Sequence, residues 1–232
     1  MSRPVVVTGG TGYMGRRLVT ALLDRGHHVR VLTRAASVTR VPRGADTVIG
    51  DALDAQTTAA VLTADDTVVH LVGTPHPNPR KAQSFIDVDL ASVRAIASAA
   101  QRVGIRHLVY VSVAQPAPAM RAYLAARQAG EQAIREAGLT ATVLRPWYVL
   151  GPGHWWPLML MPLYAVAERV PAWREGATRL GLVTLEQMVQ ALVTAVEATP
   201  AAGTFSIVDV AAIRKSSRSS NHFGGLARSR SA

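Results

Sequence analysis

Apolar residues along this chain fall into two alternating rhythms. Unbroken, β-branched runs recur as "PVVVTGG", "HVRVLTR", "DTVIGD", "TVVHLVG", "RHLVYVSV" and "TATVLRP". A run with no polar face suits a strand buried on both sides. Between these runs apolar positions recur every three or four residues. Met14, Leu18, Ala21 and Leu22 mark an amphipathic helix that Gly26 closes. "DVDLASVRAIASAAQRVG" reads as a helix ending at Gly104, and "AMRAYLAARQAGEQAIREAG" as one ending at Gly138. After Pro146 the rhythm breaks. "WYVLGPGHWWPLMLMPLYAVAERVPAW" carries three of the four Trp and four Pro before Trp173. "LEQMVQALVTAVEA" then restores a helix and "GTFSIVD" a last short strand.

Strands that alternate with helices and are apolar throughout predict an α/β fold. The expectation is a doubly wound parallel sheet of Rossmann type, with its ligand beyond the carboxyl ends of the strands. Four segments are expected. Residues 1–146 form the sheet core, 147–184 a small C-terminal cap over the ligand edge, 185–213 the last helix and strand, and 214–232 a disordered basic tail.

Composition narrows the chemistry. Hydrophobic residues make up 49%, enough for a large core, and the absence of cysteine excludes disulfides and thiolate chemistry. The net charge of +10 suggests nucleic acid, but its distribution does not. Residues 1–213 hold 20 of the 25 cations and all 15 acids, while the last 19 residues add five cations. That tail is Ser-, Gly- and Arg-rich and cannot bury enough surface to order itself. No specific nucleic-acid partner is expected. The opening residues lack a secretory pattern, and the longest apolar run, Pro157–Ala167, is too short for a transmembrane segment. A cytoplasmic protein is expected. The seven His residues show no metal-ligand spacing, and no Gly-x-Ser-x-Gly elbow suggests a hydrolase.

"TGGTGYMG" places Gly9, Gly12 and Gly15 at three-residue spacing, after a strand and at the opening of a helix. In that context the glycines let a backbone turn, approach a pyrophosphate and pack a helix close. The helix N-terminus then offers free N–H groups and its positive dipole end to the phosphates. At the end of the second strand, where an acid would hold a ribose 2′-hydroxyl, stand Thr33 and Arg34. An arginine there favours a 2′-phosphate, hence NADP(H), with NAD(H) the alternative. Arg16 is placed to help. Asp51 is a candidate for the adenine amino group or for a helix N-cap, a role for which Asp54 competes.

"VVVTGGTGYMG", "VIGDALD", "VVHLVG", "LVYVSV", "YLAAR" and "TVLRPWYVLGPGH", in this order, resemble the short-chain dehydrogenase/reductase superfamily. The likeness covers about residues 4–210 and is strongest to the extended and atypical branch, which includes nucleotide-sugar epimerases. It implies that Gly9, Thr11, Gly12, Tyr13, Met14 and Gly15 form the pyrophosphate loop. Arg34 would select the cofactor and Asp51 contact adenine. Leu71, Val72 and Gly73 would lie along the ribose and nicotinamide. Tyr123 matches the catalytic tyrosine, and Ser112 lies near the substrate-orienting hydroxyl. Arg127 stands where the family has a lysine that holds the ribose and lowers the tyrosine pKa. Arginine keeps that charge but not the compact geometry.

Tyr123 and Arg127 also admit a plainer reading. Arg127 and Glu131 are four apart and would pair on a helix surface, worth only about 0.3–0.5 kcal/mol, with Tyr123 a half-buried packing residue. His154 is either a polar contact in an apolar cap pocket or a loop histidine.

The first functional expectation is an NADP(H)-dependent oxidoreductase acting on a small, apolar carbonyl or alcohol. A nucleotide-sugar epimerase or dehydratase is a variant. The alternative from another class is an NADPH-binding sensor, regulator or assembly factor without turnover. The resemblance also implies a homodimer, paired through the helices after the fourth and fifth strands.

Overall fold

The structure is a computed structural model that describes residues 2–75, 77–116, 120–152 and 180–216. The valine run after Pro4 becomes the centre of its sheet. Strand β1 (Pro4–Thr8) pairs in parallel with β2 (His28–Thr33) on one side and β4 (Thr67–His70) on the other. β3 (Asp46–Ile49) lies outside β2. β5 (His107–Val111), β6 (Ala141–Leu144) and β9 (Phe205–Val208) continue beyond β4. The order β3-β2-β1-β4-β5-β6-β9 is parallel throughout. The doubly wound expectation holds.

Successive strand residues explain why the runs are apolar without a break. Val5 and Val7 enter one core with α1 (Tyr13–Asp24) and a helix near the C-terminus, while Val6 enters the other. In β5, Val109 faces the first core, and Leu108 and Tyr110 the second. Period-two alternation puts core on both faces, so most strand positions are apolar, and polar ones such as Thr8, Thr67 and His70 are themselves buried.

The other α-helices among the described residues are α2 (Ala55–Ala60), α3 (Ala82–Ser84), α4 (Ala91–Val103), α5 (Arg121–Glu136) and α6 (Leu185–Glu197), with a short one over 210–216. A wider, π-helical segment, Phe85–Leu90, joins α3 to α4. Gly104, at φ +71°, ends α4 in the left-handed conformation. α6 starts with a reciprocal cap. Thr184 accepts from the Gln187 N–H, and the Gln187 side chain accepts from the Thr184 N–H. Among the described residues no helix is long and apolar enough to cross a membrane.

β7 (Tyr148–Leu150) and β8 (Leu182–Thr184) pair in parallel as a second, two-stranded sheet. They bracket the expected cap. Residues 153–179 of that expectation, including His154, lie outside the described residues, as do residues 217–232 of the expected tail; its first three residues, 214–216, are instead helical, and Arg214 Nε donates to the Leu182 carbonyl at 2.9 Å.

The chain steps outward from β1 to β2 and β3, then returns to lay β4 on the other side of β1. Connections leaving β1 and β4 diverge there, and the carboxyl ends of these two strands open a crevice.

Candidate functional site

The glycine loop sits in that crevice. Gly9 has φ +74°, and a Cβ on it would lie 2.8 Å from the backbone carbonyl carbon of Leu71. Only glycine lets the end of β1 pass the end of β4 so closely. A Cβ on Gly15 would overlap the Gly9 carbonyl oxygen and lie 2.7 Å from the Gly10 Cα, so α1 rests directly on its own loop.

Gly12 differs from both. It is the N-cap of α1, in extended backbone open to any residue, and a Cβ there would meet only the Gly9 oxygen, at 3.1 Å. No side chain caps the helix, and its first turn holds no acid. An uncapped helix N-terminus with space in front of it fits an anionic group. Thr11 is half-buried and Gly12 exposed at this opening. Met14 turns inward against the core. Tyr13 lays its hydroxyl on Gly151, where a Cβ would overlap it. Burial raises the Tyr13 phenol pKa, with Arg17 pulling the other way.

Arg34 is exposed just beyond β2, and Arg16 is exposed in the first turn of α1. The competition for the α2 cap resolves to Asp54. It accepts from the Gln56 N–H at 2.8 Å, and its carboxyl pKa is lowered chiefly by the Thr57 hydroxyl. Among the described residues the Asp51 side chain accepts only from the Leu53 N–H, at 3.0 Å, and it is exposed just beyond β3.

Tyr123, Arg127 and Glu131 lie at i, i+4 and i+8 on α5, one stripe of the helix. The surface pair expected between Arg127 and Glu131 does not form. Both are buried, at 7% and 4% exposure, because this stripe faces the sheet. Each takes a partner distant in sequence. Arg127 Nη2 donates to Asp89 Oδ1 at 2.7 Å, and its Nη1 to the Val111 carbonyl at 2.9 Å and the Tyr110 hydroxyl at 3.3 Å. Burial opposes its charge, but Tyr110, Tyr123 and Asp89 together hold the guanidinium pKa above its usual range.

Tyr123 is half-buried, edge-on to Phe85 at 5.1 Å, with the Arg127 guanidinium carbon 5.2 Å from its ring centroid. Its hydroxyl takes no hydrogen bond among the described residues. Arg127 also underlies the Leu71–Gly73 loop, since a Cβ on Gly73 would overlap Nη2. The tyrosine, the cation and the loop after β4 are thereby brought together.

Ser112 belongs to a separate cluster. Its hydroxyl donates to Glu131 Oε1 at 2.6 Å, which also accepts from Gln115 at 3.0 Å and Arg145 Nε at 2.9 Å. Arg145 completes a two-point pair on the other oxygen. A serine hydroxyl has one proton, and here it is committed to a buried carboxylate.

His70, the last residue of β4, is fully buried beneath the loop. Its Nδ1 lies 2.8 Å from the Thr8 hydroxyl and its Nε2 3.2 Å from the Ser92 hydroxyl, which itself donates to the Asp89 carbonyl. That chain assigns the proton to Nε2. Burial, helped by Arg127, drives its pKa down to about 3. The unfolded chain therefore takes up a proton near pH 6.5 that the folded chain refuses until about pH 3. Stability from this residue is whole above pH 6.5 and falls as pH drops below it, by about 1.4 kcal/mol per unit. His107, lowered to about 4 chiefly by burial, acts in the same sense. Urea unfolding from pH 7 to 4 should show His70→Asn with the shallower dependence of the two proteins. Equal slopes would mean that His70 is not held neutral.

Asp89, Thr74, Tyr110, Arg145 and His70 are site residues that the sequence reading passed over. Asp89 left a trace. It is an acid within the stripe of Phe85, Val93 and Ile96, all of which are buried.

Comparison with known proteins agrees with this geometry. Residues 5–211 match the description of the NAD dependent epimerase/dehydratase family. A ceramide reductase of Caulobacter vibrioides is 31% identical over 208 residues, 89% of this chain and 64% of the reductase. A 3 beta-hydroxysteroid dehydrogenase/Delta 5-->4-isomerase of Mycobacterium tuberculosis is 36% identical over 114 residues, 47% of this chain and 31% of that protein. The chain thus spans less than two thirds of the length of these curated relatives. Among solved structures, a UDP-galactose 4-epimerase has a TM-score of 0.67 at 20% identity, covering 88% of this chain and 76% of its own. A short-chain dehydrogenase/reductase superfamily protein from Agrobacterium tumefaciens with bound NAD has a TM-score of 0.63 at 18% identity, covering 91% and 81%. The two structures share the fold, and the match across nearly all of the described chain places this protein in the NAD dependent epimerase/dehydratase family.

Proposed function

We propose that this chain is an NADP(H)-dependent oxidoreductase that moves a hydride between the dinucleotide and a small apolar ketone or secondary alcohol. The observation that carries the reading is the convergence of Tyr123, Arg127 and the Leu71–Gly73 loop beside an uncapped, glycine-lined helix N-terminus. Gly9, Thr11, Gly12 and Gly15 would hold the pyrophosphate, and Asp51 the adenine. Arg34, with Arg16 nearby, would pair with the 2′-phosphate by charge-assisted bonds. The dinucleotide, when bound, supplies the hydride donor or acceptor. In the reducing direction Tyr123 donates its phenolic proton to the carbonyl oxygen as the carbon is reduced, and the fixed Arg127 charge stabilises the phenolate left behind. Ser112, whose hydroxyl donates its one hydrogen bond to Glu131, would offer a substrate only lone pairs, so Tyr123 is the proton donor. Names of relatives favour an apolar, lipid-like substrate over a nucleotide sugar: one is a ceramide reductase, another a 3 beta-hydroxysteroid dehydrogenase.

A binding protein without turnover is the second reading. It is favoured by the engagement of Arg127 with Asp89, Val111 and Tyr110, which spends both terminal nitrogens of the guanidinium inside the protein. Incubation with NADPH and a series of long-chain and steroid ketones separates the two. Oxidation of NADPH supports the enzyme, and tight binding with no oxidation supports the binding protein. The cofactor preference has its own check. Arg34→Asp should lower the NADPH-to-NADH affinity ratio by roughly tenfold or more, as removal of a charged phosphate contact and its replacement by a like charge require. An unchanged ratio would remove Arg34 from the 2′-phosphate site.

A further inference from the structure

Beneath the loop after β4 lies a buried ion pair, Asp89 with Arg127. Asp89 is 1% exposed and Arg127 7%. Desolvation offsets most of the attraction in such a pair, and apolar side chains of similar volume often serve a core as well or better. Its position therefore asks for another account.

Three contacts tie the pair to the loop. Asp89 Oδ1 accepts from Arg127 Nη2 at 2.7 Å. Asp89 Oδ2 accepts from both the Thr74 N–H, at 2.8 Å, and the Thr74 hydroxyl, at 2.6 Å. Gly73 lies flat on the two charges, for a Cβ there would overlap Arg127 Nη2 and sit 3.2 Å from Asp89 Oδ1. Arg127 has no room to retreat, because Nη1 is held by the Val111 carbonyl and the Tyr110 hydroxyl. On another side the same guanidinium lies 5.2 Å from the Tyr123 ring centroid. One rigid unit thus sets the height of the loop and its distance from the tyrosine. Asp89 reaches it from the π-helical segment Phe85–Leu90, a local widening of the kind that re-aims side chains at functional sites.

We propose that the Asp89–Arg127 pair is a positioning unit for the nicotinamide end of the dinucleotide. Asp89 fixes the loop through Thr74, and Arg127 sets the spacing between that loop and Tyr123. This rests on the dinucleotide reading above. It also gives the arginine in the family's lysine position a physical reason. The guanidinium fork holds Asp89 with one nitrogen and the Val111 carbonyl with the other, where an ammonium would have to reach both acceptors from a single nitrogen.

The test compares two ligands in two variants. NADPH, followed by its fluorescence, reports both halves of the site. Adenosine 2′,5′-bisphosphate, followed by calorimetry, carries the adenine half alone. Asp89→Asn leaves the Arg127 charge buried without its partner, and urea unfolding should show a loss of stability. The neutral double variant Asp89→Asn/Arg127→Gln removes both charges and should regain much of that stability. In both, the NADPH dissociation constant should rise about tenfold or more, with adenosine 2′,5′-bisphosphate within about twofold of the unaltered protein. A double variant that recovers NADPH affinity together with stability would show the pair to be structural only, and the proposal falls.

Gly73→Ala keeps the test decisive where Asp89→Asn does not fold. The added methyl would overlap Arg127 Nη2 and should lift the loop, raising the NADPH dissociation constant about tenfold with adenosine 2′,5′-bisphosphate within about twofold. Unchanged NADPH affinity in Gly73→Ala overturns the platform. Failure of the unaltered protein to bind either ligand is a different result, which removes the dinucleotide reading itself.

Discussion

Gly12→Asp is expected to abolish dinucleotide binding while leaving the fold at least as stable. Gly12 is the N-cap of α1, with φ −79° and ψ 178°, backbone that aspartate adopts readily. No side chain caps the helix at present. An aspartate there can accept from the free N–H groups of the first turn, and its charge faces the positive end of the helix dipole. Replacing a glycine cap in this way is worth a few tenths of a kcal/mol, and the dipole adds roughly as much again. The new Cβ meets only the Gly9 oxygen, at 3.1 Å, so little must move. The same carboxylate would occupy the space proposed for the pyrophosphate and repel it. A loss of about 100-fold or more in NADPH affinity follows, about 2.7 kcal/mol or more. Thermal melts without nucleotide and NADPH titration read the two effects separately. Gly15→Ala supplies the contrast, since its Cβ would overlap the Gly9 oxygen and should lower the melting temperature. Gly12→Asp protein that still binds NADPH normally would place the phosphates elsewhere.

Tyr123→Phe is expected to reduce ketone turnover by about 10²–10⁴-fold, the usual contribution of a positioned proton donor. NADPH affinity should stay within about twofold, a difference below about 0.5 kcal/mol. The reason is in the contacts. The ring is held by Phe85 at 5.1 Å and by the Arg127 guanidinium, and both contacts survive the change. The hydroxyl makes no hydrogen bond among the described residues, so its removal breaks nothing structural there. Ser112→Ala should behave differently. It takes away one of the donors to buried Glu131, and so should lower stability before it touches chemistry. Initial rates under saturating NADPH, with melting temperatures alongside, distinguish the two variants. Turnover by Tyr123→Phe at the unaltered rate would mean that the proton comes from another group.

The sheet, its order of elements and the glycine loop were legible because they depend on neighbours in sequence. β1 announced itself as an apolar run because both its faces meet core. α1 and α4 followed from spacing of three and four, and Gly104 from the left-handed turn that ends a helix. Gly15 could be read as a close packing of the helix before its partner, the loop's own backbone, was known, whereas Gly9, read as a turn toward a pyrophosphate, also proves to pass Leu71 closely. The reading of Asp51 and Asp54 as rival caps stopped one step short, since only the folded turn shows which carboxylate reaches the α2 N–H groups.

The interior of the site was decided by tertiary structure. A four-residue spacing puts Arg127 and Glu131 on one face of α5, but spacing cannot say which way that face looks. Had it faced water, the two would have paired weakly with each other. It faces the sheet, where each charge must be compensated at short range, and the compensating groups come from elsewhere. Asp89 stands 38 residues before Arg127, and Arg145 14 residues after Glu131. Ser112 and Thr74 are drawn in by the same need, to satisfy carboxylates that have lost their water. Local pattern determined the elements because backbone geometry and apolar periodicity act within a few residues. The charge partners at the site were settled only by folding, because desolvation depends on what surrounds a group in space.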